Sequence, residues 1–308
     1  MKSLTNGSHS PLRYPGGKGK LTVFINHVLY DNQINGTYIE PFAGGAGIAI
    51  NLLLASKVNS IIINDLDSSV FSFWKAIISK SDKFIKMLSS VEFDYADHAE
   101  SLSPSERYQF WIATKHNFEF YRNTYTLKEA FYFFLLNRMN LSGIISAGPI
   151  GGESQNGLYN ISSRLNKKTL IHRIEAIADK HDHIIVKNLE ATRLLDMYSD
   201  GFLCEKNNSL LFVDPPYYEQ GKALYNSYMT DKLHSMVADS LTTNPELNWL
   251  LTYDTSPQIF SLYSAQEVQK FKYSITYSAN KRGRFEEFMF TSPRLRVSSF
   301  DNVSLQKA

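Results

Sequence analysis

The sequence predicts an α/β fold: a seven-stranded, Rossmann-like sheet interrupted by an inserted, mostly helical domain. Three observations carry that prediction. Short apolar runs such as Ser60-Ile61-Ile62-Ile63-Asn64, Leu210-Leu211-Phe212-Val213 and Leu247 to Tyr253 each end in turn-forming or polar residues, which is how buried parallel strands read. Helical patterns alternate with these runs, as a layered sheet-and-helix architecture requires. From about Trp74 to Lys180 the alternation stops and helical and loop sequence takes over. We therefore expect one domain from residues 1–73 and 181–308, with a second inserted at 74–180.

Taken in order, Thr37-Tyr38-Ile39 is a short strand. It enters the turn Glu40-Pro41-Phe42-Ala43-Gly44-Gly45-Ala46-Gly47, and Ile48 to Leu54 continues as a helix. A strand, a glycine-rich turn and a helix let a nucleotide-like group lie against the turn. The second strand, 60–64, ends at Asp65, about 20 residues after the glycines, where ribose hydroxyls are commonly held. There is no third glycine of a GxGxxG fingerprint, which argues against a nicotinamide dinucleotide. Residues 68–90 read as a helix burying Phe71, Trp74, Ile77, Ile78, Phe84, Ile85 and Leu88. A polar connection follows at 93–104, then two aromatic-rich helices at 105–125 and 126–137 and a glycine-rich loop. His183 to Lys187 is the third strand, a helix passes through Leu194 and Leu195, and Leu210 to Val213 is the fourth strand. A helix over 231–241, a strand over 247–253 and a helix near Ile259 come next. The hairpin 268–277 and 285–290 closes the chain around the basic turn Asn280-Lys281-Arg282-Gly283-Arg284. His181 and His183 flank Asp182 without a third ligand, so no metal is expected.

Composition narrows the class. With 308 residues, 43% hydrophobic and 20% charged, the chain is long enough for a substantial core and is not disordered. Residues 1–10 lack the apolar stretch of a signal peptide, and no run approaches the roughly 18 apolar residues of a membrane span. A cytoplasmic protein is expected. A single cysteine, Cys204, excludes an internal disulfide and makes a thiolate zinc site unexpected. Net charge of +2 announces no nucleic-acid partner by itself. Basic residues nevertheless gather locally: Lys2, Arg13, Lys18 and Lys20 in the first 30 residues, and Lys281, Arg282, Arg284, Arg294 and Arg296 near the end.

The chemistry centres on Asp214-Pro215-Pro216-Tyr217, directly behind the fourth strand. Two prolines carry no N–H, so the turn offers carbonyl oxygens without donors there. A carboxylate beside them and an aromatic face next in line suit an exocyclic amino group on a planar base. A plain proline-rich turn would look the same in isolation. Near the N-terminus, Arg13-Tyr14-Pro15-Gly16-Gly17-Lys18 is a glycine-rich loop carrying a lysine, with the wrong spacing for a P-loop.

The order of these motifs resembles that of the Dam-type (alpha-group) DNA adenine N6-methyltransferases: a Gly-Gly-Lys loop, a Pro-Phe-x-Gly turn, an acidic tip on strand two, a helical insert and Asp-Pro-Pro-Tyr. The resemblance spans nearly the whole chain. It implies S-adenosyl-L-methionine as cofactor, with Tyr14, Lys18, Phe42, Gly44, Gly47, Asp65 and Asp214 as contacts. The family pattern Phe-x-Gly-x-Gly is displaced here by one residue at Gly47. It also implies Asp214, Pro215, Pro216 and Tyr217 as the catalytic motif acting on a flipped adenine of double-stranded DNA, and the insert as the target-recognition domain. Arg138, Asn140, Lys281, Arg282 and Arg284 are the expected DNA contacts, the first two at base edges and the hairpin turn at phosphates. A cognate restriction endonuclease or other defence component is a further expected partner. Other readings of the same residues are an N4-cytosine DNA methyltransferase, an enzyme acting on RNA or a protein glutamine, and a DNA-binding module that has lost catalysis.

Overall fold

The computed structural model describes residues 4, 8–14, 16–95, 102–218, 229–264, 267–277 and 283–308, with backbone only at 275–277 and 283–285. The chain divides into two compact units, Met1–Ser8 with Lys18–Leu66 and His183–Ala308, and His9–Gly17 with Asp67–Asp182.

The first unit is built on one sheet. Its strands are β1 (Thr37–Glu40), β2 (Ser60–Asn64), β3 (Ile184–Lys187), β4 (Ser209–Val213), β5 (Trp249–Asp254), β6 (Gln269–Tyr277), β7 (Gly283–Thr291) and β8 (Gln306–Lys307), in the spatial order β3-β2-β1-β4-β5-β7-β6-β8. The five strands from β3 to β5 are parallel, and β7 and β6 add an antiparallel hairpin. The seven expected strands are all present; β8 is an additional two-residue edge strand paired with β6. Central strands β4 and β5 are buried along their whole length, which explains their unbroken apolar sequence. Helices α1 (Thr22–Asp31), α2 (Gly47–Leu54), α8 (Ala191–Ser199), α9 (Asp231–Thr242) and α10 (Pro257–Leu262) belong to the same unit. Ile39, Ile62, Leu211, Val213, Trp249, Leu251 and Phe290 are core residues on four of the parallel strands and β7, with α8 and α9 contributing Leu194, Leu195, Val237 and Leu241. His181–His183 forms a short 3-10 turn, so β3 begins at Ile184, one residue later than the sequence pattern suggests.

From β1 the chain moves to β2 on one side, whereas β4 lies on the other side of β1 and leads toward β5. That reversal of direction is a topological switch point. It opens the carboxyl ends of β1 and β4 to a ligand.

The second unit is helical: α3 (Ser68–Ser79), α4 (Ser81–Ser89), α5 (Pro104–Tyr121), α6 (Leu127–Met139) and α7 (Lys167–Ala178). The single helix expected at 68–90 is two. Lys80 leaves helical geometry (φ −143°, ψ 34°), and the break leaves Phe71, Ile78 and Ile85 half-buried while Phe73, Trp74, Ile77, Phe84 and Leu88 are buried. Phe73 stacks on Phe134 of α6 at 5.4 Å, and Phe84 meets the edges of Phe131 and Phe134. The boundaries expected at 74 and 180 therefore fall at 67 and 182. Residues 9–17, assigned from sequence to the first domain, belong with the helices. Asn137 explains that placement: its Oδ1 accepts the Arg13 N–H at 2.8 Å and its Nδ2 donates to the Arg13 carbonyl at 2.7 Å. Gly143 is obligatory beside it, with φ +79° and a notional Cβ only 2.4 Å from the Arg13 oxygen.

One buried carboxylate organises this unit. Glu129, fully buried, accepts Ser68 Oγ (2.7 Å), Ser69 Oγ (2.9 Å), the Asn123 N–H (3.1 Å) and the Tyr125 N–H (2.7 Å). It thereby joins the start of α3 to the turn before α6. Removing it strands several buried donors at once. Glu129→Ala should lose about 3 kcal/mol of stability and Glu129→Gln clearly less, as read from urea unfolding followed by circular dichroism.

Candidate functional site

The site lies on the switch-point edge of the first unit. From β1 the chain enters the turn Pro41 to Ala46, whose shape depends on left-handed residues: Gly44 (φ +45°) and Ala46 (φ +45°), the latter immediately before α2. Alanine in that conformation costs about 1 kcal/mol, so the displaced glycine has a structural meaning: Gly47 is the first residue of α2 and Ala46 bears the strained cap. Asp65, at the end of β2, accepts the Gly44 N–H through Oδ2 at 2.8 Å. Phe42 is half-buried against the core, as are Leu189, Tyr217 and Tyr218. The turn, the Asp65 carboxylate and an apolar rim thus share one edge of the sheet.

Directly after β4, Asp214 meets Lys18. The lysine side chain is 3% exposed, and its Nζ lies 2.9 Å from Asp214 Oδ1, 3.2 Å from Oδ2 and 2.5 Å from the Tyr217 hydroxyl. The same Nζ sits 4.7 Å from the centre of the Tyr217 ring. Thr252 on β5 donates to Asp214 Oδ1 at 2.7 Å. Burial pushes the Asp214 carboxyl up; Lys18 opposes that shift and Glu287 reinforces it. The Asp214 side chain keeps 21% exposure, the open side of an otherwise enclosed carboxylate.

Several members of this cluster have no counterpart in the motif reading. Glu287 of β7, 2% exposed, accepts the Tyr217 hydroxyl at 2.5 Å and also the Tyr273 hydroxyl, and lies 3.8 Å from Lys18 Nζ. Asp254, at the end of β5, accepts the Tyr218 N–H at 3.3 Å. Thr252 is a small polar residue within an apolar strand. The available sequence signal was a carboxylate in the inward-facing register of Phe285-Glu286-Glu287-Phe288-Met289-Phe290, but nothing local says what it faces.

Glu40, at the end of β1, is 5% exposed and accepts the Ala49 N–H at 3.2 Å. Burial chiefly, with a smaller contribution from Asp214, raises its carboxyl from 4.5 to about 8. It is therefore neutral in the folded protein at pH 7 but ionised in the unfolded chain. As pH rises from about 4.5 to about 8, the unfolded state releases a proton that the folded state keeps, so this group lowers stability across that window. Glu40→Gln should accordingly gain thermal stability over the parent as pH is raised from 5 to 8, with little difference at pH 4.5, measured by melting temperature in matched buffers.

Three of the remaining expected contacts, Tyr14, Arg138 and Asn140, fall in the helical unit. Tyr14 belongs to the helical unit, where its carbonyl accepts the Gly17 N–H at 3.1 Å. Asn140 is fully buried: Oδ1 accepts Trp111 Nε1 (2.7 Å), and Nδ2 donates to the Ile144 and Ile145 carbonyls (both 3.0 Å). Its amide shapes the loop after α6, so it cannot offer the paired donor and acceptor of a base reader; that expectation is corrected. Arg138 donates through Nε to the Arg164 carbonyl (2.7 Å) and through Nη1 to the Pro11 carbonyl (3.2 Å). Burial, with Arg13, Arg173 and Arg164 nearby, lowers its guanidinium to about 9. Arg173 holds the Ser10 carbonyl and Arg13 the Asn140 carbonyl, both at 3.0 Å. Four guanidinium groups therefore gather around segment 10–13 of the helical unit. Lys281 and Arg282 lie outside the described residues, and Arg284 is described only as a β7 backbone position opposite Thr276.

Known proteins resemble this chain to different degrees. The rRNA methyltransferase aviRa of Streptomyces viridochromogenes aligns with a TM-score of 0.36 and 12% identity, over 96% of this chain and 94% of that one. The Type II methyltransferase M.MjaIII of Methanocaldococcus jannaschii is 24% identical over 214 residues, 67% of this chain and 68% of the relative. The profile of the D12 class N6 adenine-specific DNA methyltransferases matches residues 14–276, from the Tyr14 loop through β6. With the acceptor turn at Asp214 and the glycine turn at Phe42 inside that match, this chain belongs to the D12 class of N6 adenine-specific DNA methyltransferases.

Proposed function

We propose that Asp214, Pro215, Pro216 and Tyr217 form the site of methyl transfer and that the methyl group comes from S-adenosyl-L-methionine. The observation that carries this reading is the meeting of the Asp214 carboxylate with Lys18 and Tyr217 at the switch point, beside the β1 turn. The cofactor fits the neighbouring residues by chemistry: the Asp65 carboxylate suits the ribose hydroxyls, and half-buried Phe42 and Leu189 suit the flat adenine ring. Lys18, Gly44 and Gly47 complete the contacts on this unit. When bound, S-adenosyl-L-methionine supplies an electrophilic methyl on a sulfonium, which needs no further activation.

The protein's task is to make the adenine amino nitrogen nucleophilic. Its lone pair is delocalised into the ring. The Asp214 carboxylate and the Pro215 carbonyl accept the two amino hydrogens and favour a tetrahedral nitrogen as its bond to the methyl carbon would replace that carbon's bond to sulfur, and one of the two hydrogens would then leave as a proton. Thr252 and Lys18 hold the carboxylate in place for that role. The target atom is hidden inside a duplex, so the base leaves the stack and rests against the Tyr217 ring. Alignment for in-line transfer is then most of the remaining contribution.

For the DNA backbone we propose the arginine group of the helical unit, Arg13, Arg138, Arg164 and Arg173, in place of base readout by Asn140. The Lys281-Arg282-Arg284 turn remains a proposed phosphate contact. The Type II designation of the archaeal relative supports a restriction–modification setting, with a cognate endonuclease reading the same sequence.

Asp214→Ala should abolish N6-methyladenine formation while S-adenosyl-L-methionine still binds; nucleoside analysis of incubated DNA together with calorimetric titration reads both. Arg164 is exposed. Arg164→Gln should weaken binding equally on all duplex sequences and reduce the slope of log affinity against log salt by about 1, measured by fluorescence anisotropy.

A further inference from the structure

Glu287 lies beyond residues 14–276 matched by the family profile, yet it touches the acceptor turn. The β-sheet register places it opposite Asp254 of β5 on one side and Tyr273 of β6 on the other. Its strand neighbours Phe288, Met289 and Phe290 are buried apolar residues. A carboxylate at such a position is costly unless its oxygens are engaged, and both are. Oε1 accepts the Tyr217 hydroxyl at 2.5 Å, and Oε2 accepts the Tyr273 hydroxyl. Because the Tyr217 O–H proton points to Glu287, its oxygen lone pair is left to accept Lys18 Nζ, at 2.5 Å. The same Nζ is bound to Asp214 at 2.9 Å. A chain of contacts thus runs from β7 through the Tyr217 hydroxyl and the Lys18 ammonium to the Asp214 carboxylate.

We infer that Glu287 is a positioning residue for methyl transfer: it fixes the Tyr217 ring and, through the hydroxyl of that ring, the lysine that orients Asp214. This rests on the reading of Asp214 to Tyr217 as the transfer site. Glu287 does not touch the base or the methyl group. Its effect is to preset the stacking face and the acceptor carboxylate before the base arrives, in the sense that misplacing reacting groups by about 1 Å costs about 100-fold in rate. Tyr273 holds the second oxygen and so limits rotation of the carboxylate itself.

The test compares full-length Glu287→Gln, Glu287→Ala, Tyr217→Phe and the double variant Tyr217→Phe/Glu287→Ala in single-turnover methylation of duplex DNA. Cofactor affinity and melting temperature are measured on each. Glu287→Ala should lower the rate about 100-fold with cofactor affinity nearly unchanged. Glu287→Gln keeps an acceptor for Tyr217 and should retain most of the rate, but the loss of its negative charge lowers the proton affinity of Asp214. The acid limb of its pH–rate profile therefore moves to lower pH, a shift that a purely structural role would not produce. If Glu287 acts through the tyrosine hydroxyl, the double variant is no slower than Tyr217→Phe alone. Should Glu287→Ala fail to fold, the Gln and Phe variants decide the matter. A Glu287→Gln profile superimposed on the parent, or rate losses that simply multiply in the double variant, would overturn the inference. Retained methylation by Asp214→Ala would instead overturn the reading of the transfer site itself.

Discussion

A single enclosed ammonium holds the site together. Lys18, at 3% side-chain exposure, serves Asp214 at 2.9 Å and lies 3.8 Å from Glu287. Two carboxylates this enclosed repel one another, and each loses hydration; a cation between them offsets both costs. Lys18 makes both tolerable. Its own position is fixed by backbone: it opens a short 3-10 turn, Lys18–Leu21, that runs into α1. The following Gly19 passes close to the start of α2, 3.6 Å from where a Cβ on Gly47 would sit. The N-terminal loop and the glycine turn are therefore coupled through close backbone packing, and small residues on both sides permit it.

The sheet performs the rest of the assembly. β1 and β4 are adjacent and parallel although more than 160 residues separate them in the chain (Thr37 pairs with Ser209). Their carboxyl ends deliver the Glu40-Pro41-Phe42 turn and the Asp214-Pro215 turn to the same edge. β5 then supplies Thr252 and Asp254, and the closing hairpin supplies Tyr273 and Glu287. An antiparallel hairpin appended to a parallel sheet thus has a chemical role, since it brings hydroxyl and carboxylate groups across to a turn that has no backbone donors at its two prolines.

Polar residues in the helical unit show how residue type can mislead. Asn140 has the donor and acceptor pair that reads adenine, and Asn137 the same, but both amides are spent on backbone groups of loops that cannot pair internally. Arg138 likewise holds carbonyls. What survives from its basic character is collective: with Arg13, Arg164 and Arg173 it concentrates positive charge around one segment, and a polyanionic backbone is the natural complement of such a group.

The sequence by itself determined the fold class, the seven main strands, the order of the motifs and the family, because apolar periodicity and turn-forming residues are local signals. The acceptor turn was legible for the same reason: Asp214, two prolines and Tyr217 are consecutive. Lys18 could be singled out in its glycine loop, but its pairing with Asp214 across 196 residues could not be read locally. The tertiary structure alone decided which carboxylates, hydroxyls and amides meet. The break at Lys80, the inclusion of residues 9–17 in the helical unit, the burial of Asn140 and the convergence of Glu287 with Tyr217 all depend on partners distant in sequence. Hydrogen bonds and charge pairs at a few ångströms are set by strand register and loop packing, and a linear pattern carries no record of either.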